Sequence, residues 1–240
     1  WISFQNSVER TKPATTNLRV AAVRQFFTWL HETGQISRNP AANAKFLDLD
    51  NSDFKGLDEQ AYKRFMRAVY EEEDPRNIAI IEAMVGAGLR VGEVLDLQVG
   101  DLVLRERETR DNFSYIIVRE GKGGKRRTVP MSRDVKAAML KLMESHPKRD
   151  DPAASLWTGQ RGSLSERSTI SRLLSRYSTR AGLPPVNPHA LRHTFAHRWL
   201  EKNPGDIRTL ADILGHSDIK TTMKYTVPSD AEKASKMANM

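Results

Sequence analysis

Asn187-Pro188-His189-Ala190-Leu191-Arg192-His193 announces the start of a helix. An asparagine side chain accepts from free N–H groups of a first turn, and a proline's fixed φ suits the position after it. The helix is therefore expected over Pro188 to Glu201, with His189 in its first turn. Three residues on, Arg192 shares a helix face with His189. An imidazole and a guanidinium beside the free N–H groups and partial positive charge of a helix N-terminus suit a phosphate oxygen. A lone His-x-x-Arg pair is weak evidence, so its company matters. Downstream stand Leu214-Gly215-His216 and Tyr225; upstream stand Gly88-Leu89-Arg90-Val91-Gly92-Glu93 and Gly121-Lys122-Gly123-Gly124-Lys125.

Working outward, helical periodicity predicts helices over Leu57–Glu72, Arg76–Gly86, Gly92–Leu97, Val135–Glu144, Ser168–Ala181, Asp206–Leu214 and Ile219–Tyr225. Asp101–Leu104, Ser114–Arg119 and Arg126–Met131 have the pattern of short strands, the last two joined as a hairpin by the Gly121–Gly124 loop. Near the start, Leu18, Ala21, Ala22, Phe26, Trp29 and Leu30 form a stripe on a helix over Thr15–Leu30, stopped by Gly34 and Pro40. Residues 41 to 54 have weak periodicity and form a connector. The expected class is mainly α with a small antiparallel β-sheet, an α+β chain. One long helix cannot supply a core of its own, so the first fifty residues are expected to be the tail of a helical domain. The chain begins at Trp1 rather than Met, and the expectation is that its beginning is missing.

The 240 residues carry 38 Lys+Arg against 30 Asp+Glu, a net charge of +8, and no cysteine. Disulfide frameworks and thiolate metal sites are thereby excluded. No apolar run in these residues is long enough to cross a bilayer and no secretory h-region stands out, so no membrane partner and a cytoplasmic location are expected. Half of the excess charge lies in Arg119–Arg127, where five cations and one acid occupy nine residues. Glycines in this stretch allow close backbone approach, so Lys125, Arg126 and Arg127 are expected to contact phosphates.

Rival chemistries weaken on inspection. His189, His193, His197 and Glu201 recur every four residues as metal ligands can, but Thr194, not a glutamate, follows His193, so the zincin pattern is absent. Such a stripe also drifts around a helix of 3.6 residues per turn. Neither hairpin lysine stands in a Gly-x4-Gly-Lys-Ser/Thr frame, which argues against a nucleotide-triphosphate enzyme. Glu93, three residues after Arg90, has the spacing to hold that guanidinium in place. A tyrosine such as Tyr225 is far more often a packing residue than a nucleophile, and its neighbours are what change the odds.

In this order the pieces resemble the tyrosine recombinases, the phage integrase and Xer-like family, over residues 55 to 230. The carriers are the arginine of Gly-Leu-Arg-Val-Gly-Glu, the lysine of Gly-Lys-Gly, His-x-Leu-Arg-His, Leu-Gly-His, and a tyrosine nine positions later. The resemblance implies the C-terminal part of a helical core-binding domain at 1–47, a linker at 48–55 and a catalytic domain at 56–240. It implies a site-specific recombinase in which Tyr225 attacks a DNA phosphodiester to give a 3′-phosphotyrosine, without metal, ATP or other cofactor. Arg90 and Arg192 would clamp the non-bridging oxygens. His189 and His216 would hydrogen-bond the phosphate or take the phenolic proton, and Lys122 would protonate the leaving 5′-oxygen. Implied partners are double-stranded DNA at specific sites, a homo-tetramer on two sites, and an accessory DNA-bending or directionality protein. Ala231–Met240 is the candidate for a C-terminal helix that docks on a neighbour. Alternatives are a type IB topoisomerase, which uses the same residue kinds, and a non-catalytic DNA-binding module.

Overall fold

The computed structural model describes residues 11–47, 56–119, 126–159, 162–163, 166–216, 218–223 and 225. The chain divides into two compact units, residues 1–53 and 54–240. In the first, α1 (Pro13–Glu32) starts on a proline and turns inward on Thr16 and Val20. Asn17 ties down the returning chain, donating to the Leu47 carbonyl and accepting its N–H, each at 2.8 Å. Arg24 lies over the Phe46 ring at 5.3 Å. The expected apolar stripe is not the buried one: Leu18 is 72 % exposed, and Phe26 and Trp29 also face outward. Gly34 adopts φ +72° just beyond the helix, at the stop that the sequence marks.

In the second unit, α2 (Glu59–Tyr70), α3 (Pro75–Val85) and α4 (Val91–Leu95) lead through a 3-10 turn into β1 (Leu102–Val103), β2 (Tyr115–Val118) and β3 (Arg127–Pro130). After α5 (Arg133–Glu144) come a two-residue ribbon, β4 (Thr158–Gly159) with β5 (Gly162–Ser163), then α6 (Arg167–Arg180), α7 (Pro188–Lys202), α8 (Ile207–Leu214) and α9 (Lys220–Met223). The three-stranded sheet is antiparallel in the order β1-β2-β3, with Ile116 opposite Val129 and Val118 opposite Arg127. The expected class therefore holds: a mainly helical unit with a small antiparallel sheet. The β4–β5 ribbon was not foreseen, because two residues per strand leave no period to detect.

α3 is the central rod. Every residue from Ala79 to Val85 is buried, as expected for a helix packed on all sides. It lies against α5 and α7. Local chemistry sets the helix starts: Asp58, Asp74, Ser132, Asn187 and Asp206 each accept a backbone N–H from the turn they cap. Asp58 as cap moves the start of α2 to Glu59, two residues later than its apolar pattern suggests. Between α3 and α4 the chain passes through Gly88 at φ +66°, where any Cβ would collide with the Phe195 ring. Glycine at this point brings the turn onto α7 and aims the Gly88 carbonyl at Arg192.

Candidate active site

Arg192 lies one turn into α7 and is buried, its side chain 5 % exposed. A buried guanidinium needs acceptors, and it has them: Nη1 donates to the Gly88 carbonyl at 2.5 Å and Nη2 to the Leu214 carbonyl at 2.6 Å. Nη2 also lies 3.0 Å from His216 Nε2. A guanidinium can only donate, so Nε2 must be the accepting nitrogen and the imidazole proton belongs on Nδ1. That nitrogen is 2.7 Å from the Thr222 hydroxyl, which it meets as donor. Burial, then the neighbouring Arg90, push the Arg192 guanidinium down to about 10, which still leaves it charged at neutral pH.

Arg90 caps α4 and reaches the same place from the other side. Its Nη1 donates to Glu93 Oε1 at 2.8 Å, its backbone N–H to Glu93 Oε2 at 2.8 Å, and its Nη2 to the Gly215 carbonyl at 3.3 Å. The Arg90–Glu93 spacing read from the sequence is thus a real pair. Gly215 closes α8 with φ +63°, the left-handed conformation common just past a helix end. That turn points successive carbonyls outward at the negative end of the helix, where cations bind well.

Tyr225 follows α9, its N–H bonded to the Thr222 carbonyl at 3.0 Å. Its ring sits between two imidazoles, edge-on to His193 with centroids 4.9 Å apart and stacked on His216 at 6.4 Å. Burial pushes the Tyr225 hydroxyl above the usual phenol value, while Arg192 and Arg90 pull it back. The guanidinium that would hold a phosphate is therefore also the group that favours a phenolate.

Of the residues singled out from the sequence, the fold brings together Arg90, Glu93, Arg192, His216 and Tyr225. His189 stands in the first turn of α7 and is exposed; among the described residues no hydrogen bond or ring contact ties it to this cluster. Lys122 and Lys125 lie outside the described residues. Arg126 is exposed directly before β3. Arg127 corrects an expectation: it is not on the outer face of the hairpin with a phosphate-ready side chain. Its side chain is 11 % exposed and turns inward, donating from Nη1 and Nη2 to the two oxygens of Glu93 at 2.8 Å each and from Nε to the Ile213 carbonyl at 2.8 Å. The parity of the strand explains it, since Arg127 is two residues from the buried Val129 and shares its face. His193, a metal-ligand candidate by spacing and the end of the His-x-Leu-Arg-His motif, has its ring against Tyr225, a contact the sequence does not signal.

Glu93 is the hub. Burial would raise its carboxyl, but the Arg127 fork and the bonds from Arg90 hold it down at about 2. Arg192 Nη1 lies 4.0 Å from the same carboxylate. One anion is thus ringed by three guanidinium groups, leaving an excess of positive charge beside a tyrosine. Such a place can bind a phosphodiester and stabilise the charge that grows on it during attack.

A mainly helical unit with this cluster belongs to a known class. Residues 55–232 match the model of the phage integrase family; the chain belongs to that family and is a tyrosine recombinase, an enzyme of DNA recombination. It is similar to tyrosine recombinase XerC of Actinobacillus pleuropneumoniae serotype 7, 30% identical over 228 residues, covering 94% of this chain and 72% of that protein. It is likewise similar to XerC of Proteus mirabilis, 32% identical over 221 residues, covering 90% and 68%. Among solved structures, XerA recombinase matches with a TM-score of 0.66 and 29% identity over 99% of this chain and 80% of that one. XerH recombinase bound to palindromic difH substrate, in a post-cleavage complex, shares the fold with a TM-score of 0.77 at 20% identity, over 98% and 70%.

Proposed function

We propose that this recombinase cuts and rejoins double-stranded DNA at specific sites through a covalent 3′-phosphotyrosine at Tyr225. The observation that carries the reading is the burial of Arg192 between the Gly88 and Leu214 carbonyls with its Nη2 on His216, directly beside Tyr225. Related structures were captured on DNA substrates, and the excess charge of +8 suits the same partner.

In the forward step the Tyr225 oxygen attacks phosphorus, the bond from phosphorus to the 5′-oxygen breaks, and the phenolic proton leaves to an imidazole. Arg90 and Arg192 hold the non-bridging oxygens, where charge builds up. When a phosphate draws the Arg192 Nη2 donor, the lone pair on His216 Nε2 is released to take the phenolic proton. His189, exposed at the start of α7, donates to the phosphate from the solvent side. Lys122 supplies the proton to the departing 5′-oxygen. One phosphoester replaces another, so the incoming 5′-hydroxyl of a second duplex reverses the step with no ATP. Exchange between duplexes calls for four protomers on two sites, in a cytoplasmic setting, with an accessory DNA-bending protein to set direction. The first fifty residues act as the end of a core-binding clamp, 1–47, joined by the linker 48–55 to the catalytic domain, 56–240.

Tyr225→Phe tests the reading. It should abolish covalent adducts on DNA and leave DNA affinity within about threefold, because only the nucleophilic oxygen is lost. Lost affinity together with lost fold would mark Tyr225 as a packing residue. Relaxation of supercoiled DNA without any exchange of partners would favour the topoisomerase reading.

A further inference from the structure

Three consecutive carbonyls at the end of α8 are each held by a different arginine. Arg127 Nε takes Ile213, Arg192 Nη2 takes Leu214, and Arg90 Nη2 takes Gly215, at 2.8, 2.6 and 3.3 Å. These arginines come from β3, α7 and the start of α4, three separate stretches of sequence. The next residue after these carbonyls is His216. We infer that Arg127 is a positioning residue of the active site: it locks β3 to Glu93 and to the end of α8, so that Arg90, Arg192 and His216 meet Tyr225 in one register. This rests on the proposed cleavage chemistry and deepens it.

The Arg127 side chain does what charge alone would not. Glu93 already has Arg90 at 2.8 Å, so further guanidinium groups add repulsion within the cluster. Arg127 indeed is among the charges that depress Arg192. What it supplies is a rigid fork: two parallel bonds to one carboxylate and a third, from Nε, to a carbonyl. A lysine ammonium cannot make that pattern, because its donors radiate from a single point. The fit is tight, for a Cβ on Gly215 would stand 2.8 Å from Arg127 Nη1. Arg127 is also opposite Val118, the last pair of the β2–β3 register, so this fork anchors the end of that strand pair. One side chain thereby ties the end of the sheet to the carboxylate that holds Arg90 and to the helix end that carries His216.

The charged and titratable groups facing Glu93 among the described residues are Arg90 from the cap of its own helix, Arg127 from β3 and Arg192 from α7, with His216 and Tyr225 beyond Arg192; Asp96, Asp101 and Arg119 share a pocket with it on the other side. Removing Arg127 leaves a buried carboxyl with weaker support, and its protonation would let go of the Arg90 side chain. Acid should therefore harm a variant more than the natural protein.

The test uses fragmented genomic DNA carrying sparse nicks, so that a cleaved short end diffuses away and the covalent product accumulates on whichever sites the protein recognises. Adduct is scored for the natural protein, Arg127→Met and Arg127→Lys between pH 8 and 5.5, with melting temperature and DNA affinity measured on the same samples. Expected is a rate about 100-fold lower for Arg127→Met at pH 8, as for a misplaced catalytic group, with affinity nearly kept. The variant-to-natural ratio should fall further toward pH 5.5, and Arg127→Lys should recover part of the loss. Ratios that stay flat with pH and follow the melting temperature would make Arg127 a fold residue only and overturn the inference. Undiminished adduct from both variants would overturn it too, with the cleavage reading intact. No adduct from the natural protein would overturn that reading and the inference with it.

Discussion

Glu82 and Glu93 are both buried carboxylates, eleven residues apart on either side of the Gly86-Ala87-Gly88 turn, and they end in opposite states. Glu82, 3 % exposed, is met by the Tyr70 hydroxyl at 2.7 Å, and burial pushes its carboxyl up to about 7 in spite of that bond. Arg198 lowers it only weakly; that guanidinium lies over the Tyr62 ring and pairs with Glu59. Glu93, 8 % exposed, is held by Arg90 and Arg127 at about 2. Burial alone turns a carboxylate toward its neutral form; an ionised one inside a protein needs cations built around it. The molecule builds that cage around Glu93, beside Tyr225, and leaves Glu82 as a hydrogen-bonded member of the packed core.

The comparison can be broken most severely at Arg192. Arg192→Ala should lower DNA cleavage about 100- to 1000-fold, the typical loss for one electrostatic donor, which single-turnover adduct formation would measure. Cleavage at the natural rate would deny the cluster its clamp. Glu93→Gln comes next: it leaves three guanidinium groups around a neutral amide, and losing one partner of a buried ion pair typically costs about 3–5 kcal/mol. Denaturant unfolding at pH 7 would report it, and a change under about 1 kcal/mol would mean that the cage is not energetically coupled.

Glu82→Gln should act with the other sign. Because the folded carboxyl lies above its unfolded value of 4.5, at about 7, the native state holds the proton more tightly. Its contribution is fully present below pH 4.5 and is lost as pH rises through about 7, a swing of about 3 kcal/mol at most. The amide removes that loss, so Glu82→Gln should stabilise the protein by about 1–3 kcal/mol at pH 8 and change little at pH 4.5. Glu93 behaves inversely: its contribution is present above pH 4.5 and disappears as pH falls toward about 2. Stability that rose steadily from pH 5 to 8, in the natural protein and the Glu82→Gln variant alike, would contradict the assignment of these slopes. The smallest effect is at the cap of the helix carrying Arg192, where Asn187→Ala should cost about 1 kcal/mol by thermal melting while cleavage at low temperature persists.

The local geometry around Arg90 and Arg192 is legible in the sequence. Asn187-Pro188 fixed where α7 starts, and Arg90 with Glu93 at a three-residue spacing foretold a pair, because capping and i, i+3 contact are local matters. Arg127 was misjudged because its direction is not local. A strand shows two faces, and shifting the register by one residue exchanges them; three consecutive cations, Lys125-Arg126-Arg127, obscure which one shares the inward face of Val129. Alternation counted back from Val129 was the available signal. His193 hid behind Arg192, since a neighbour on a helix points elsewhere, and only the return of the chain through α9 places Tyr225 against it. The apolar stripe on α1 misled for a related reason: periodicity names a face without saying what covers it.

The central claim is that the cation cage around Glu93 makes Tyr225 a nucleophile toward DNA. The most direct measurement incubates the protein with fragmented genomic DNA in EDTA, denatures the mixture, recovers covalently joined protein and maps the modified peptide. The account predicts a phosphodiester-linked Tyr225 on a few recurring sequences. Adducts at another residue, or none at all from an intact, DNA-bound protein, would contradict it.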